Sequence, residues 1–223
     1  MIPTVTNTGL HEFVGERVLA RYARPGIRAA DLGAGPGAMA ARLHALGCDV
    51  VAVDRDPSVF KADLPFISLD FDQPDFASQL GVARFALVTC IEVIEHVESP
   101  IGFLRNIGRI LAPGGVTVLT TPNVDCLPAR AKLLLRGRVR TMDEQGDSTH
   151  ISPIFWDLFR RQFLPRAGLV LRDHYIFPPN GYQLMRKPLA RLFRIAAAVL
   201  PGDNLLGDNH IFVLQAARGD QPS

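Results

Sequence analysis

Cysteine is scarce in this chain, and the three that occur, Cys48, Cys90 and Cys126, are scattered without C-x-x-C spacing. Neither a disulfide framework nor a cysteine-ligated zinc site is expected. Cys48 and Cys90 adjoin apolar runs and read as small buried core residues. No stretch approaches the roughly 18 uninterrupted apolar residues of a membrane-spanning helix. No basic region followed by a long apolar run marks a leader either. A cytoplasmic location follows as the expectation, with peripheral membrane contact left open. An excess of one charge sign is also missing: 24 Lys and Arg against 22 Asp and Glu leave a formal +2, too little to mark the whole protein as a nucleic-acid binder. Internal repeats are absent, and only residues 218–223 read as a disordered tail. With 223 residues and 48% hydrophobic composition the chain can bury one sizeable core, so a single domain over 1–223 is expected.

What is present is an alternation of two apolar periods. Residues 10–23 read as an opening helix ended by Arg24-Pro25-Gly26, and 27–32 as a strand. Residues 38–46 follow as a helix with Met39, Leu43 and Leu46 on one face, then 50–53 as a strand. Residues 85–91 form the next strong apolar run. Residues 100–111 read as a helix with Ile101, Leu104, Ile107 and Leu111 on one face, closed by Ala112-Pro113-Gly114-Gly115, and 116–121 as a strand. Ser152-Pro153 has the signature of an N-cap with proline at the first helical position, opening a helix interrupted by Pro165 near its end. Residues 169–177 and 211–216 read as the last two strands. Alternating elements of this kind predict an α/β fold with a parallel sheet.

The most informative segment is Asp31-Leu32-Gly33-Ala34-Gly35-Pro36-Gly37, with Asp54 closing the following strand. The glycines let the backbone turn sharply and approach a ligand where a Cβ would collide. An acid about 20 residues further on can accept both hydroxyls of a ribose, so the arrangement reads as a nucleoside-cofactor site. Gly33, Gly35 and Ala38 satisfy G-x-G-x-x-A, which keeps a dinucleotide and an NAD(P)-dependent oxidoreductase in play. Against a pyrophosphate stands Asp31, whose carboxylate repels phosphate and attracts an amine or sulfonium cation in a partly desolvated cleft. Pro36 also removes a backbone donor that a pyrophosphate would use.

This segment resembles motif I of the class I S-adenosylmethionine-dependent methyltransferases. The later Glu92-Val93-Ile94-Glu95-His96-Val97, Leu111-Ala112-Pro113-Gly114-Gly115 and Thr121-Pro122-Asn123 are similar, in that order and spacing, to the ends of the fourth strand, the following helix and the fifth strand of that family. The resemblance runs from about residue 12 to 168, more weakly at the C-terminal hairpin. It implies a Rossmann-like, seven-stranded, mostly parallel sheet with helices on both faces and an antiparallel C-terminal hairpin. It also implies S-adenosyl-L-methionine as cofactor. Gly33, Gly35 and Gly37 then line its amino-acid and ribose parts, with Asp31 beneath, and Asp54 takes the ribose hydroxyls. Asp70, or Asp72 as second choice, meets the adenine amino group. Arg55, Phe71 and Ile91 complete the cofactor-side set.

The E-x-x-E-H element is the sharpest catalytic signal. If a helical turn begins at the strand end, Glu92, Glu95 and His96 stand at i, i+3 and i+4 and face one point. His150 in Ser148-Thr149-His150 is expected to return to the same rim. E-x-x-E-H with a later histidine resembles both the ubiquinone-pathway polyprenyl O-methyltransferases and the small-RNA 3′-terminal 2′-O-methyltransferases. In those groups the matching residues are associated with a divalent ion that orients acceptor oxygens. Glu92, Glu95, His96 and His150 are therefore candidates for catalysis and for a metal, with manganese, zinc or iron favoured over magnesium by the nitrogen donors. The alternatives are metal-free base or orienting roles for the histidines, and a bracing role for Glu95.

Two segments fall outside the shared pattern, about 124–147 and 180–207. The first holds Arg130, Lys132, Arg136, Arg138 and Arg140 around Leu133-Leu134-Leu135. The second carries a stripe of Leu192, Ile195 and Val199 with Arg191 and Arg194 off it. Insertions there cover the acceptor side, because ligands bind outside the carboxyl ends of parallel strands. Small-molecule, lipid-linked and glycan hydroxyls all suit the motifs as acceptors. An RNA acceptor draws only on residues 130–140 and lacks an evident RNA-binding module. A cofactor-binding scaffold without turnover is the non-enzymatic alternative, and its expected sign, a damaged motif I or fourth-strand motif, is not seen.

Overall fold

The computed structural model describes residues 2–3, 6–80, 85–144, 146–202 and 204–217; the expected tail at 218–223 lies outside them. Strands β1 (Arg28–Leu32), β2 (Asp49–Asp54), β3 (Phe66–Ser68), β4 (Phe85–Ile91), β5 (Leu111–Pro122), β6 (Leu169–Phe177) and β7 (Asn209–Ala216) form one sheet in the order β3-β2-β1-β4-β5-β7-β6. All pairs are parallel except those of β7, which runs antiparallel to β5 and to β6. The central strands are apolar runs because both of their faces are covered. Ala29, Ala30 and Leu32 of β1 and Leu87, Val88 and Cys90 of β4 are wholly buried.

Alternate side chains on those strands feed two cores. Helix α1 (10–22) and α2 (Ala38–Ala45) put Leu10, Val14, Val18, Met39 and Leu43 against Ala29, Ala52, Leu87 and Val118. On the opposite face α3 (Phe76–Gln79), α4 (Pro100–Ile110) and α6 (156–166) set Phe76, Phe103, Leu104, Ile107, Trp156 and Phe159 on Ala30, Val88, Cys90 and Phe212. The order of strands reverses between β1 and β4, which opens a crevice at their carboxyl ends. Helices α5 (Leu127–Arg136) and α7 (Lys187–Val199) lie within segments 124–147 and 180–207 and touch each other. Cys48, Cys90 and Cys126 are all buried free thiols.

Several local expectations shift. Helix α2 ends at Ala45, leaving Leu46 37% exposed, while Met39 and Leu43 are buried as anticipated. Leu111 leaves helix α4 and begins β5, pairing with Phe85 before residues 112–115 bulge out and Val116 rejoins Leu87. Ser152 caps no helix. Its hydroxyl donates to the Val97 carbonyl at 2.7 Å and its N–H to the Glu95 carbonyl at 2.9 Å, so tertiary partners claim both groups. Helix α6 starts at Trp156 instead and, after a wide π-type turn over Phe159–Phe163, continues through Pro165 to Arg166.

Candidate active site

The glycine loop closes β1 and opens α2. Its shape comes from backbone bonds that any sequence could make, Gly33 and Ala34 N–H to the Val53 carbonyl, and from conformations that favour glycine, φ of +71°, +49° and +95° at Gly33, Gly35 and Gly37. A Cβ on Gly33 would lie 2.3 Å from Val93 Cγ2, and one on Gly37 2.8 Å from both Phe60 Cε2 and Ala62 Cβ. Gly33 therefore admits the fourth-strand loop, whereas Gly37 admits the segment after β2.

One cleft is lined by Asp31, Gly33, Gly35 and Ile91, together with Thr6 and His11 from the start of the chain. Asp31 is 1% exposed; it accepts the Thr89 hydroxyl at 2.7 Å on Oδ1, and Oδ2 completes no hydrogen bond, although the Ala40 N–H lies alongside the carboxylate. Burial pushes its carboxyl up to about 7, with the Thr89 bond pulling the other way. Asp54 ties the loop down: Oδ2 accepts the Gly35 N–H at 2.8 Å and Oδ1 the Asp56 N–H at 3.2 Å. Each oxygen keeps a further lone pair for a hydroxyl. Arg55 is exposed, with its carbonyl accepting the Ser68 hydroxyl. Asp70 accepts the Asp72 N–H, and Asp72 the Glu98 N–H at 2.8 Å. Phe71 stands edge-on to Phe76 and Phe103, with ring centres 5.2 and 5.5 Å away. Gly37, Asp54, Arg55, Asp70 and Phe71 are thus not among the residues that line the cleft.

Sequence reasoning missed His11, which is 7% exposed, with Nδ1 unpartnered and its imidazole pushed down to about 4 by burial and then by the Arg42 charge. A signal existed. His11 falls on the same helical stripe as Val14 and Val18, a polar residue on an apolar face.

At the end of β4 the expected single constellation splits in two. Glu92 does not start a helical turn: its φ is +56°, and the only turn is a 3₁₀ one over Ile94–His96. Glu92 consequently faces the ends of β5 and β7, where Thr120 Oγ1 donates to Oε1 at 2.8 Å and Asn209 Nδ2 to Oε2 at 2.8 Å. Asn7 Nδ2 in turn donates to Asn209 Oδ1 at 2.6 Å. Burial raises Glu92 to about 7 against those two bonds.

Glu95, His96 and His150 do come together, with one potential ligand atom from each lying within 4.8 Å of the others. Glu92 is not part of that group, which corrects the four-residue set. Glu95 is wholly buried; neither carboxylate oxygen completes a hydrogen bond, although the Thr121 hydroxyl lies alongside. Burial, then the charge of Glu92, raises its carboxyl well above the ordinary range. The Glu95 carbonyl accepts the N–H groups of Ile151 and Ser152, which brings the segment after His150 back to this rim.

The two imidazoles meet edge to face with centres 4.7 Å apart. Their tautomers follow from the partners. Thr149 Oγ1 gives its one proton to Asp147 Oδ1 at 2.6 Å, so at 2.9 Å from His96 Nδ1 it accepts a proton from the ring. His150 Nδ1 sits 3.0 Å from the Thr141 carbonyl, which only accepts. Both rings carry hydrogen on Nδ1 and a lone pair on Nε2. Burial, then the neighbouring His150, lowers the pKa of His96 and keeps that lone pair available.

The fold and these two centres define a class of protein, and comparison with known proteins agrees: the chain belongs to the methyltransferase domain family, matched over residues 10–173, of the class I S-adenosylmethionine-dependent kind. Over 115 residues it is 35% identical to the ubiquinone biosynthesis O-methyltransferase of Xanthomonas campestris pv. campestris strain B100, covering 48% of this chain and 47% of that protein. The chain spans about half the length of the curated relatives it matches. Among solved structures, an S-adenosylmethionine-dependent methyltransferase from Archaeoglobus fulgidus superposes with a TM-score of 0.63 at 15% identity, covering 92% of this chain and 93% of that one. The magnesium protoporphyrin IX methyltransferase of Synechocystis PCC 6803, determined with bound SAH, gives 0.59 at 12% identity over 93% and 82%. At these identities the structures speak for the fold.

Proposed function

We propose that this protein transfers a methyl group from S-adenosylmethionine to a hydroxyl oxygen of a small-molecule, lipid-linked or glycan acceptor. The observation that carries the reading is the meeting of the His96 and His150 rings, centres 4.7 Å apart, just past the end of β4, whose neighbour β1 carries the cleft residue Asp31. The donor site fits the cofactor on two counts: a buried carboxylate oxygen that completes no hydrogen bond, and a loop whose glycines leave no side chain over the backbone. S-adenosylmethionine supplies an electrophilic methyl group on a positively charged sulfur. Asp31 would face the cationic part, and Asp54 would accept ribose hydroxyls through its remaining lone pairs. A hydroxyl that gains a methyl must lose its proton, and Nε2 of His96 or His150 would take it. Their Nδ1 bonds to Thr149 and Thr141 fix the rings for that role.

A second reading rests on Glu95. A buried, unpartnered carboxylate with a ring nitrogen of each of two imidazoles within 4.8 Å, the rings held through Nδ1 by Thr149 and Thr141, is a donor set that suits a divalent manganese, zinc or iron ion. The ion would be held by Glu95, His96 and His150, without Glu92, and would orient an acceptor oxygen. An RNA acceptor is not favoured, because two of the basic residues it drew on are engaged: Lys132 pairs with Asp143 at 2.6 Å and Arg140 with Asp208 at 2.7 Å.

The test is an acceptor screen with radiolabelled S-adenosylmethionine against lipid, glycan, RNA and small-molecule fractions, with and without chelator. His96→Ala and His150→Ala should reduce turnover by roughly 10²- to 10⁴-fold while cofactor affinity holds. Activity lost to chelator and restored by Mn²⁺ or Zn²⁺ supports ligation, and full activity in chelator supports the base. Unchanged turnover in both variants would remove either role.

A further inference from the structure

Segments 124–147 and 180–207 are fastened into one platform. Arg140, 8% exposed, holds Asp208 Oδ1 through Nη2, while Asp208 Oδ2 accepts the Leu184 N–H at 3.1 Å. Asn123 Nδ2 donates to the carbonyls of Asn204 and Leu206, both at 3.0 Å. Ala190 and Phe193 seat helix α7 against Cys126, Ala129 and Tyr182.

The opposite flank of α7 is the anomaly. Leu189, Leu192, Ile195 and Val199 recur at i, i+3, i+6 and i+10, which makes one stripe, and they are 45%, 62%, 57% and 81% exposed. Helix α5, touching α7, ends in Leu134 and Leu135 at 85% and 79%. Neither helix contains an acid. Exposed Arg191 borders the stripe and exposed Arg194 stands further round the helix, with Lys187 at the start of α7 and Arg136 at the end of α5. A concentrated apolar surface on a soluble fold marks an interaction face. The charge names the occupant: a second copy docked face to face would bring Arg191 and Arg194 against like charges, whereas an anionic lipid surface complements them and accepts the leucines into its interface.

We propose that the outer face of helix α7 docks on an anionic lipid bilayer. Resting on the methyl-transfer reading, it also narrows the acceptor to a membrane-resident molecule bearing a hydroxyl.

The test is co-flotation of the full chain with vesicles of phosphatidylcholine alone and of phosphatidylcholine mixed with phosphatidylglycerol, at low and high salt. Binding should require phosphatidylglycerol and fall with salt. Each basic side chain near such a surface contributes about 1 kcal/mol, so Arg191→Gln with Arg194→Gln should lower partitioning roughly 30-fold. Leu192→Ser with Ile195→Ser should lower it at least about tenfold. These exposed changes leave the fold intact, which circular dichroism checks. No association of the unaltered protein at low salt would overturn the proposal, as would binding that survives both double variants. A stable dimer dissociated by Leu192→Ser with Ile195→Ser would assign the face to a second copy and overturn it too. S-adenosylmethionine binding measured in the same samples separates this outcome from failure of the methyltransferase reading.

Discussion

In the proposed donor site, Asp31 is the residue on which the electrostatics turn. Its carboxyl stands near 7 in the folded chain and near 3.8 when unfolded, because burial opposes its charge. Between those values the folded state binds the extra proton, so Asp31 makes the ligand-free protein lose stability as pH rises through that window. His11 acts in the opposite sense, costing stability as pH falls from 6.5 toward about 4. A cationic ligand favours ionised Asp31, so affinity for S-adenosylmethionine should rise as pH passes upward through 7. Asp31→Asn should flatten that slope. Calorimetric titrations on either side of pH 7 decide it, and a slope unchanged by Asp31→Asn would deny the carboxylate this role. Asp31 could be singled out in the sequence because an acid directly before a glycine loop stands out, and the structure has it lining the cleft. Glu92 was not: its left-handed backbone and its bonds to Thr120 and Asn209 depend on strands that follow much later in the chain.

At the level of elements, the glycine loop divides its labour. Gly35 is bonded to Asp54 and lines the cleft, but Gly37 sits at the start of α2 with a φ of +95° and no room for a Cβ beside Phe60 and Ala62. Gly37→Ala should destabilise the fold by roughly 2 to 4 kcal/mol, through the left-handed conformation and overpacking together. A denaturant titration checks this, and an unchanged midpoint would mean that the segment after β2 yields freely. Strands β1, β2 and β4 could be read from sequence because buried parallel strands are bounded apolar runs. Residues 111–115 misled because a proline and two glycines look like a turn, while pairing across a bulge extends β5 through them. Ser152 misled for a related reason: Val97 and Glu95 claim a hydroxyl and an N–H that local pattern assigns to a cap.

For the whole molecule, the strand order puts the carboxyl ends of β1 and β4 side by side, and that alone brings Asp31, Ile91 and the histidine rim to one end of the sheet. The order itself was not derivable from periodicity, since each strand pattern is silent about its neighbours; resemblance of the motifs implied seven strands with an antiparallel C-terminal hairpin, and the structure supplies their order. The same crevice geometry serves dinucleotides in other folds, so the nature of the cofactor rests on the uncompensated acid rather than on the architecture. The most direct measurement is calorimetric titration of the purified protein with S-adenosylmethionine, its demethylated product and NADH under identical conditions. Tighter binding of S-adenosylmethionine or its product than of NADH is the predicted result, and preferential binding of NADH would contradict the account at its centre.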